Sequence, residues 1–289
     1  MTSRHQLQTR RQGLAKIRDI LNSMKTLAYM ETKKLYHCLA AQHRVVESVE
    51  RAAADLLSFY PQIMPGAVEQ GATVYLLVGS ERGFCGDFNQ VLLQQLESIL
   101  SEPQQSQIKP AIIAIGHRLS TLMADDERVA VVLDGASVAE EVPELLQRLV
   151  HELLELQGTL DPLRLFCLYH DDAGKVGCRL LLPPFEDIGQ RFSPKFMIPP
   201  VLHQTPEALL EELSEHYLFA VLHEIIYSAL MAENFRRVTH LDGAVKHLDE
   251  EEEHMRRQVN ALRQEEIIEE IEVLLLNCSA PSGDNSGQG

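Results

Sequence analysis

The sequence predicts an α/β protein in which the N- and C-terminal segments form a long antiparallel coiled coil and a small α/β domain is inserted between them. Three observations carry this. Apolar residues near both ends recur at alternating steps of four and three, the middle of the chain alternates short apolar runs with amphipathic segments, and the two ends carry opposite charge. From Met1 to Leu35 there are eight Lys or Arg against Asp19 and Glu31, whereas from Leu241 onward twelve carboxylates face four basic residues.

The first element is a helix from about Leu7 to Phe59. Stepping from Ile17 gives Leu21, Met24, Ala28, Glu31, Leu35, Cys38, Gln42, Val45, Val49, Ala52 and Leu56, and ten of those twelve positions are apolar. No proline interrupts the run before Pro61, so one continuous helix of roughly 80 Å is expected at 1.5 Å per residue.

The last element is longer. Pro206 follows Thr205 as a first-turn proline behind a cap, and the helical pattern continues to about Cys278, roughly 100 Å. Leu241, Val245, Leu248, Glu252, Met255, Val259 and Leu262 repeat the four-three spacing, after which the apolar stripe moves to Ile267, Ile271 and Leu274. Such a shift changes the supercoil locally. Domains are expected at 1–60, 61–204 and 205–278, with a Gly/Ser/Pro tail over 279–289.

Between the helices, TVYLLVG, AIIAIG and VAVVL read as strands, each followed by a helical segment. That order predicts a Rossmann-like parallel sheet covered on both faces. LRLFCLYHDD and VGCRLLLPPF then read as a closing hairpin turned by Asp172 to Gly177.

Composition removes several function classes. The chain has 289 residues, 45% hydrophobic, and a net charge of −16, which does not suit a nucleic-acid binder. No apolar run approaches the roughly 20 residues of a membrane span, so membrane association is expected through partners only. Five cysteines without a CxxC pair argue against a disulfide framework or zinc knuckle.

The glycine-rich stretch GSERGFCGDFN, residues 79–89, is the candidate for chemistry. Its glycines, Gly79, Gly83 and Gly86, fit neither GxGxxG nor a Walker loop. Asp87 falls where the next helix begins, a carboxylate at the place a phosphate would occupy. A structural corner with Asp87 as cap is therefore expected. Cys85 beside Arg82 has no neighbouring histidine and reads as a buried thiol. His240, His247 and His254 stand about 10 Å apart along a helix, too far to share a metal. The run Asp249 to Glu253 lacks the alternating ligands of a calcium loop. No catalytic residue, cofactor or metal site is expected.

Several stretches together resemble the gamma subunit of F-type ATP synthases. GSERGFCGDFN is similar to that family's SDRGLCGGLN, with Ser80, Arg82, Gly83, Cys85, Gly86 and Asn89 matching and Asp87 replacing a glycine. NALRQEEIIEEI resembles N-x-x-R-Q-x-x-I-x-x-E through Asn260, Arg263, Gln264, Ile267 and Glu270, and SMKTLAYMETKKL looks like AMKMVAASKMRRA through Met24, Lys25 and Ala28. The resemblance implies a non-catalytic central-stalk shaft that couples ion flow through a membrane rotor to ATP synthesis or hydrolysis. Its implied partners are a hexamer of alpha and beta subunits, the epsilon subunit and the c-ring, at the cytoplasmic face of a bacterial inner membrane. Arg263 and Gln264 would meet the beta subunit's catch loop, with Glu270 on the same partner-binding segment, and Met24 and Lys25 would pass its lower lever. The rival classes are a nucleotide-binding α/β enzyme with helical flanks and a coiled-coil scaffold.

Overall fold

The computed structural model describes residues 4–64, 71–101, 110–159, 163–186, 188 and 198–279. Its elements in chain order are α1 (Arg4–Phe59), β1 (Ala72–Val78), α2 (Phe88–Leu100), β2 (Ala111–Ile115), α3 (His117–Leu122), β3 (Val129–Leu133), α4 (Val142–Thr159), β4 (Leu163–His170), β5 (Val176–Leu182) and α5 (Pro206–Ser279). Residues 4–25 with 241–279 form one compact unit and residues 26–240 another. The expected tail over 279–289 lies almost wholly outside the described residues.

In the larger unit the five strands run in the order β3-β2-β1-β4-β5. β1 is central and pairs parallel with β2 and β4, β2 pairs parallel with β3, and β5 closes the sheet antiparallel to β4. The period-two alternation of strand side chains divides β1 between two cores. Tyr75 and Leu77 face Leu92 and Leu96 of α2 and Leu119 of α3. Val74, Leu76 and Val78 face a larger cluster containing Leu145 and Leu149 of α4, Leu35 to Leu57 of α1, and Leu210 to Met231 of α5. The sheet is thus covered on both faces, as the βα alternation predicts. Burial of β1 and β2 on both faces explains why TVYLLV and AIIAI are almost unbroken apolar runs.

Within this unit the buried stripe of α1 departs from the expected heptads. Ala28, Leu39 and Glu50 are buried, as are Leu35, Val46 and Leu57, and Val45 is 48% exposed. Each set recurs every eleven residues, or about 3.67 per turn, close to the period of an unstrained helix. The predicted four-three seam therefore slips by one residue beyond Leu35, because α1 here packs on sheet and helix together rather than on a single supercoiling partner. Residues 26–64 obey the globular period.

In the smaller unit the α5 seam holds. Leu241, Val245, Met255 and Val259 are buried, whereas His247 and His254 are exposed. Arg18 meets Asp249 and Glu252, and Lys25 meets Asp242. Rising numbers on α1 thus pair with falling numbers on α5, which fixes the helices as antiparallel. One 18-residue window of α5 reaches a mean hydropathy of 1.2, and 72% of it is buried inside the protein. The globular core accounts for that hydropathy.

Candidate functional site

The loop after β1 is filled by the protein itself. Parallel α/β sheets bind ligands beyond the carboxyl ends of their strands, where free amides converge. Here a side chain from α5 takes that place. Glu233, 3% exposed, accepts hydrogen bonds from the amide of Glu81 at Oε2 and the amide of Arg82 at Oε1, both at 3.2 Å. Arg237, one turn along α5, closes on the same carboxylate. It also donates through Nε to the Gly83 carbonyl at 3.2 Å and through Nη1 to Asn234 Oδ1 at 2.7 Å.

A second carboxylate fills the neighbouring donors. Glu81 Oε2 accepts from the amides of His117, at the start of α3, and Gly135, at 2.9 and 2.7 Å. Asn89 fastens the strand end, receiving the Ser80 amide at Oδ1 and donating to Ser80 Oγ, each at 2.9 Å. The tight turn needs Gly86 at φ 62°, and it also holds Phe84 at φ 64°, a conformation that costs a non-glycine residue of order 1 kcal/mol or more. Phe84 remains 49% exposed.

Asp87 occupies the first-turn position expected of it but makes no capping hydrogen bond. It pairs instead with Arg236 of α5. The difference follows from the packing, since α5 brings a guanidinium within reach and a charge-assisted pair outcompetes a lone amide. A cavity of about 680 Å³ opens here between Gly86, Asp87, Gly174, Arg236 and His240. Its walls carry Asp87 and Asp172, and its arginine is already engaged by Asp87. An anion would find two carboxylates and a spent cation.

The Cys85 thiol, buried and beside the Glu233 charge, is pushed up to about 12 and is no nucleophile at neutral pH. Burial also pushes the Glu233 carboxyl above its ordinary value, opposed by Arg237 and the two loop amides. No group of three or more His, Cys, Asp or Glu suited to a metal occurs among the described residues.

The five residues expected to touch partners lie in the smaller unit. Met24 and Lys25 are half-buried, and Lys25 Nζ donates to Asp242 Oδ1 at 3.1 Å. Asp242 also takes Lys246 at 2.8 Å. The hydrogen bonds from Lys246 and Lys25 hold its carboxyl below the usual carboxylate range. Arg263, Gln264 and Glu270 are exposed, and none makes a side-chain hydrogen bond or ion pair among the described residues. Arg263 lies 21 residues beyond Asp242, roughly 30 Å along the helix. The two groups therefore do not form one site. Just beyond, Ile268, Ile271, Leu274 and Leu275 are 50 to 64% exposed.

Sequence reasoning missed Glu233 and Arg237. Their signal was present in LMAENFRRV, where charged residues at i and i+4 fall on the otherwise apolar face of a helix. A carboxylate on a buried face must have a partner.

Comparison with known proteins bears on the whole chain. A family model described as ATP synthase matches residues 3–275. The "ATP synthase gamma chain" of Clostridium beijerinckii is 22% identical over 95% of this chain and 97% of its own. That of Moorella thermoacetica is 23% identical over 97% and 99%. Among solved structures, a chain of the Euglena gracilis mitochondrial ATP synthase, in an assembly of OSCP, F1 and c-ring, shares the fold with a TM-score of 0.63, 16% identity, and coverage of 99% and 98%. The match over residues 3–275 shows that the chain belongs to the ATP synthase family, with gamma chains among the relatives that align over nearly its whole length.

Proposed function

We propose that this chain is the central-stalk gamma subunit of a rotary ATP synthase and works as a shaft without a catalytic site of its own. The observation that supports this most directly is the Glu233 carboxylate hydrogen-bonded to the Glu81 and Arg82 amides. The Glu81 and Arg82 amides, which would otherwise be open to a phosphate, are spent inside the protein. What is left to the outside is a pair of antiparallel helices with exposed partner-binding groups.

As such a shaft it sits within a hexamer of alpha and beta subunits and meets the epsilon subunit and the c-ring at its other contacts. It is held to the cytoplasmic face of a bacterial inner membrane through those partners. Met24 and Lys25 pass the lower lever of a beta subunit. Arg263 and Gln264, with Glu270 nearby, engage its catch loop, a role favoured by three exposed polar side chains that make no side-chain hydrogen bond or ion pair among the described residues. Two measurements test the proposal. The chain is expected to co-purify with alpha, beta, epsilon and c-ring subunits, and calorimetry of the isolated chain with Mg-ATP is expected to give no heat of stoichiometric binding. Micromolar binding abolished by changing residues 81–86 would establish a nucleotide-binding enzyme instead.

A further inference from the structure

β5 carries one charged residue among its seven, Arg179. Its guanidinium forks between the two long helices within the larger unit. Nη2 donates to Glu50 Oε1 of α1 at 2.8 Å, and Nη1 donates to Glu224 Oε2 of α5 at 2.9 Å. Glu50 and Glu224 are only 8% and 9% exposed. The second oxygen of Glu224 lies 2.5 Å from His43 Nδ1 of α1, and the guanidinium lies over the Tyr217 ring of α5, 5.7 Å from its centroid. A single side chain from the antiparallel edge of the sheet thus grips both helices at once.

Around the fork the helices meet the sheet mainly through apolar side chains, and His43 of α1 also lies 4.0 Å from Asp172 in the β4–β5 turn. Hydrophobic attraction has no preferred direction and by itself leaves sliding open. A fork of charge-assisted hydrogen bonds does not, because each bond specifies distance and angle. We propose that Arg179 is the positioning pin that makes α1, α5 and the sheet turn as one body, so that torque crosses between helices and sheet without slip. The pin rests on the gamma-subunit function proposed above.

The test is ATP-driven ion pumping, measured per ATP hydrolysed, in the reconstituted complex. Arg179→Met alone would leave two buried carboxylates without their shared guanidinium and threaten folding. The decisive variant is therefore Glu50→Gln with Arg179→Met and Glu224→Gln, which removes the fork without leaving a buried charge. Assembly and ATP hydrolysis are expected to persist, while ions pumped per ATP fall about twofold or more, because the lost bonds are the directional ones. Arg164→Met is the control. Arg164 also sits on the sheet, but it pairs with Glu186 and with neither long helix, so its loss is expected to leave the ratio unchanged. An assembled triple variant that pumps as efficiently as the parent would overturn the pin alone, and so would an equal loss in the control. Failure of the parent chain itself to support pumping would remove the gamma-subunit function and the pin with it.

Discussion

Glu233 Oε1 lies 3.2 Å from the amide nitrogen of Arg82, a residue 151 positions earlier in the chain. That one contact ties the loop after β1 to α5. It does so at the strand end where an α/β fold would otherwise hold a ligand.

Replacing Glu233 by Gln keeps the shape but leaves Arg237, 5% exposed, without a counter-charge. Breaking a buried pair in this way costs about 3–5 kcal/mol. The thermal midpoint of the isolated chain is expected to drop accordingly. A midpoint equal to the parent's would mean that the loop is held by its other bonds alone.

Gly116 stands at φ 108°, and a Cβ there would come 2.8 Å from the Ser80 carbonyl oxygen. Gly116→Ala therefore meets both a strained backbone and a backbone atom that cannot step aside, at a cost of about 1–3 kcal/mol from the conformation alone. Denaturant titration measures it. A loss below that range would show that the β2–α3 corner relaxes freely.

His170 supplies a pH dependence. It is buried, stacks 3.9 Å from the Phe88 ring and hydrogen-bonds the Phe88 carbonyl at 2.9 Å through Nε2. Burial lowers its pKa from the ordinary 6.5, against the pull of the Phe88 and Gly174 carbonyls. The unfolded chain then binds the proton more readily than the folded one. Stability is full above the unfolded value of 6.5 and is lost as the pH falls from there toward the lower folded value. Midpoints recorded across that range should slope downward with acid in the parent and less so in His170→Gln. Parallel curves would refute the assignment.

Met24→Lys tests the first of the two proposed partner contacts. Met24 is half-buried in the paired helices beside the Lys25–Asp242 bridge. A second ammonium there is expected to weaken coupling more than assembly, seen as fewer ions pumped per ATP at normal subunit stoichiometry. Unaltered pumping would remove Met24 from the contact.

Arg263 and Gln264 test the second. A charge-assisted bond from Arg263 is worth about 1.5–3 kcal/mol. Losing it in one rotary state should change turnover about tenfold. Arg263→Ala with Gln264→Ala leaves α5 intact, since Ala is a strong helix former. Steady-state ATPase of the assembled complex decides the matter, and unchanged turnover would reduce both to surface groups.

Local patterns made most of the fold legible. The strand-helix alternation gave the doubly covered sheet, and the seam from Leu241 to Val259 gave the buried face of α5 in the smaller unit. The α1 stripe was misjudged by one residue past Leu35 because a heptad and an eleven-residue repeat diverge by only about 33° per seven residues. The loop's character as a corner was readable from its missing Walker lysine and from Asp87. Its occupant was not, because Glu233 and Arg237 lie 152 and 154 residues from their loop partners. Arg179 was hidden in the same way, since its carboxylates sit 129 and 45 residues away. Pairing at that range is a property of the packed structure and leaves no periodic trace.

Because Glu233 is carried on the same chain as the amides it satisfies, it acts as a tethered ligand whose effective concentration exceeds the millimolar range of even a flexible link. Free phosphate or nucleotide cannot compete by mass action with a group that never diffuses away. The strand end is therefore occupied at every level of cellular energy charge. In the proposed shaft, the Glu81 and Arg82 amides are thus withheld from the nucleotide pool whatever its level.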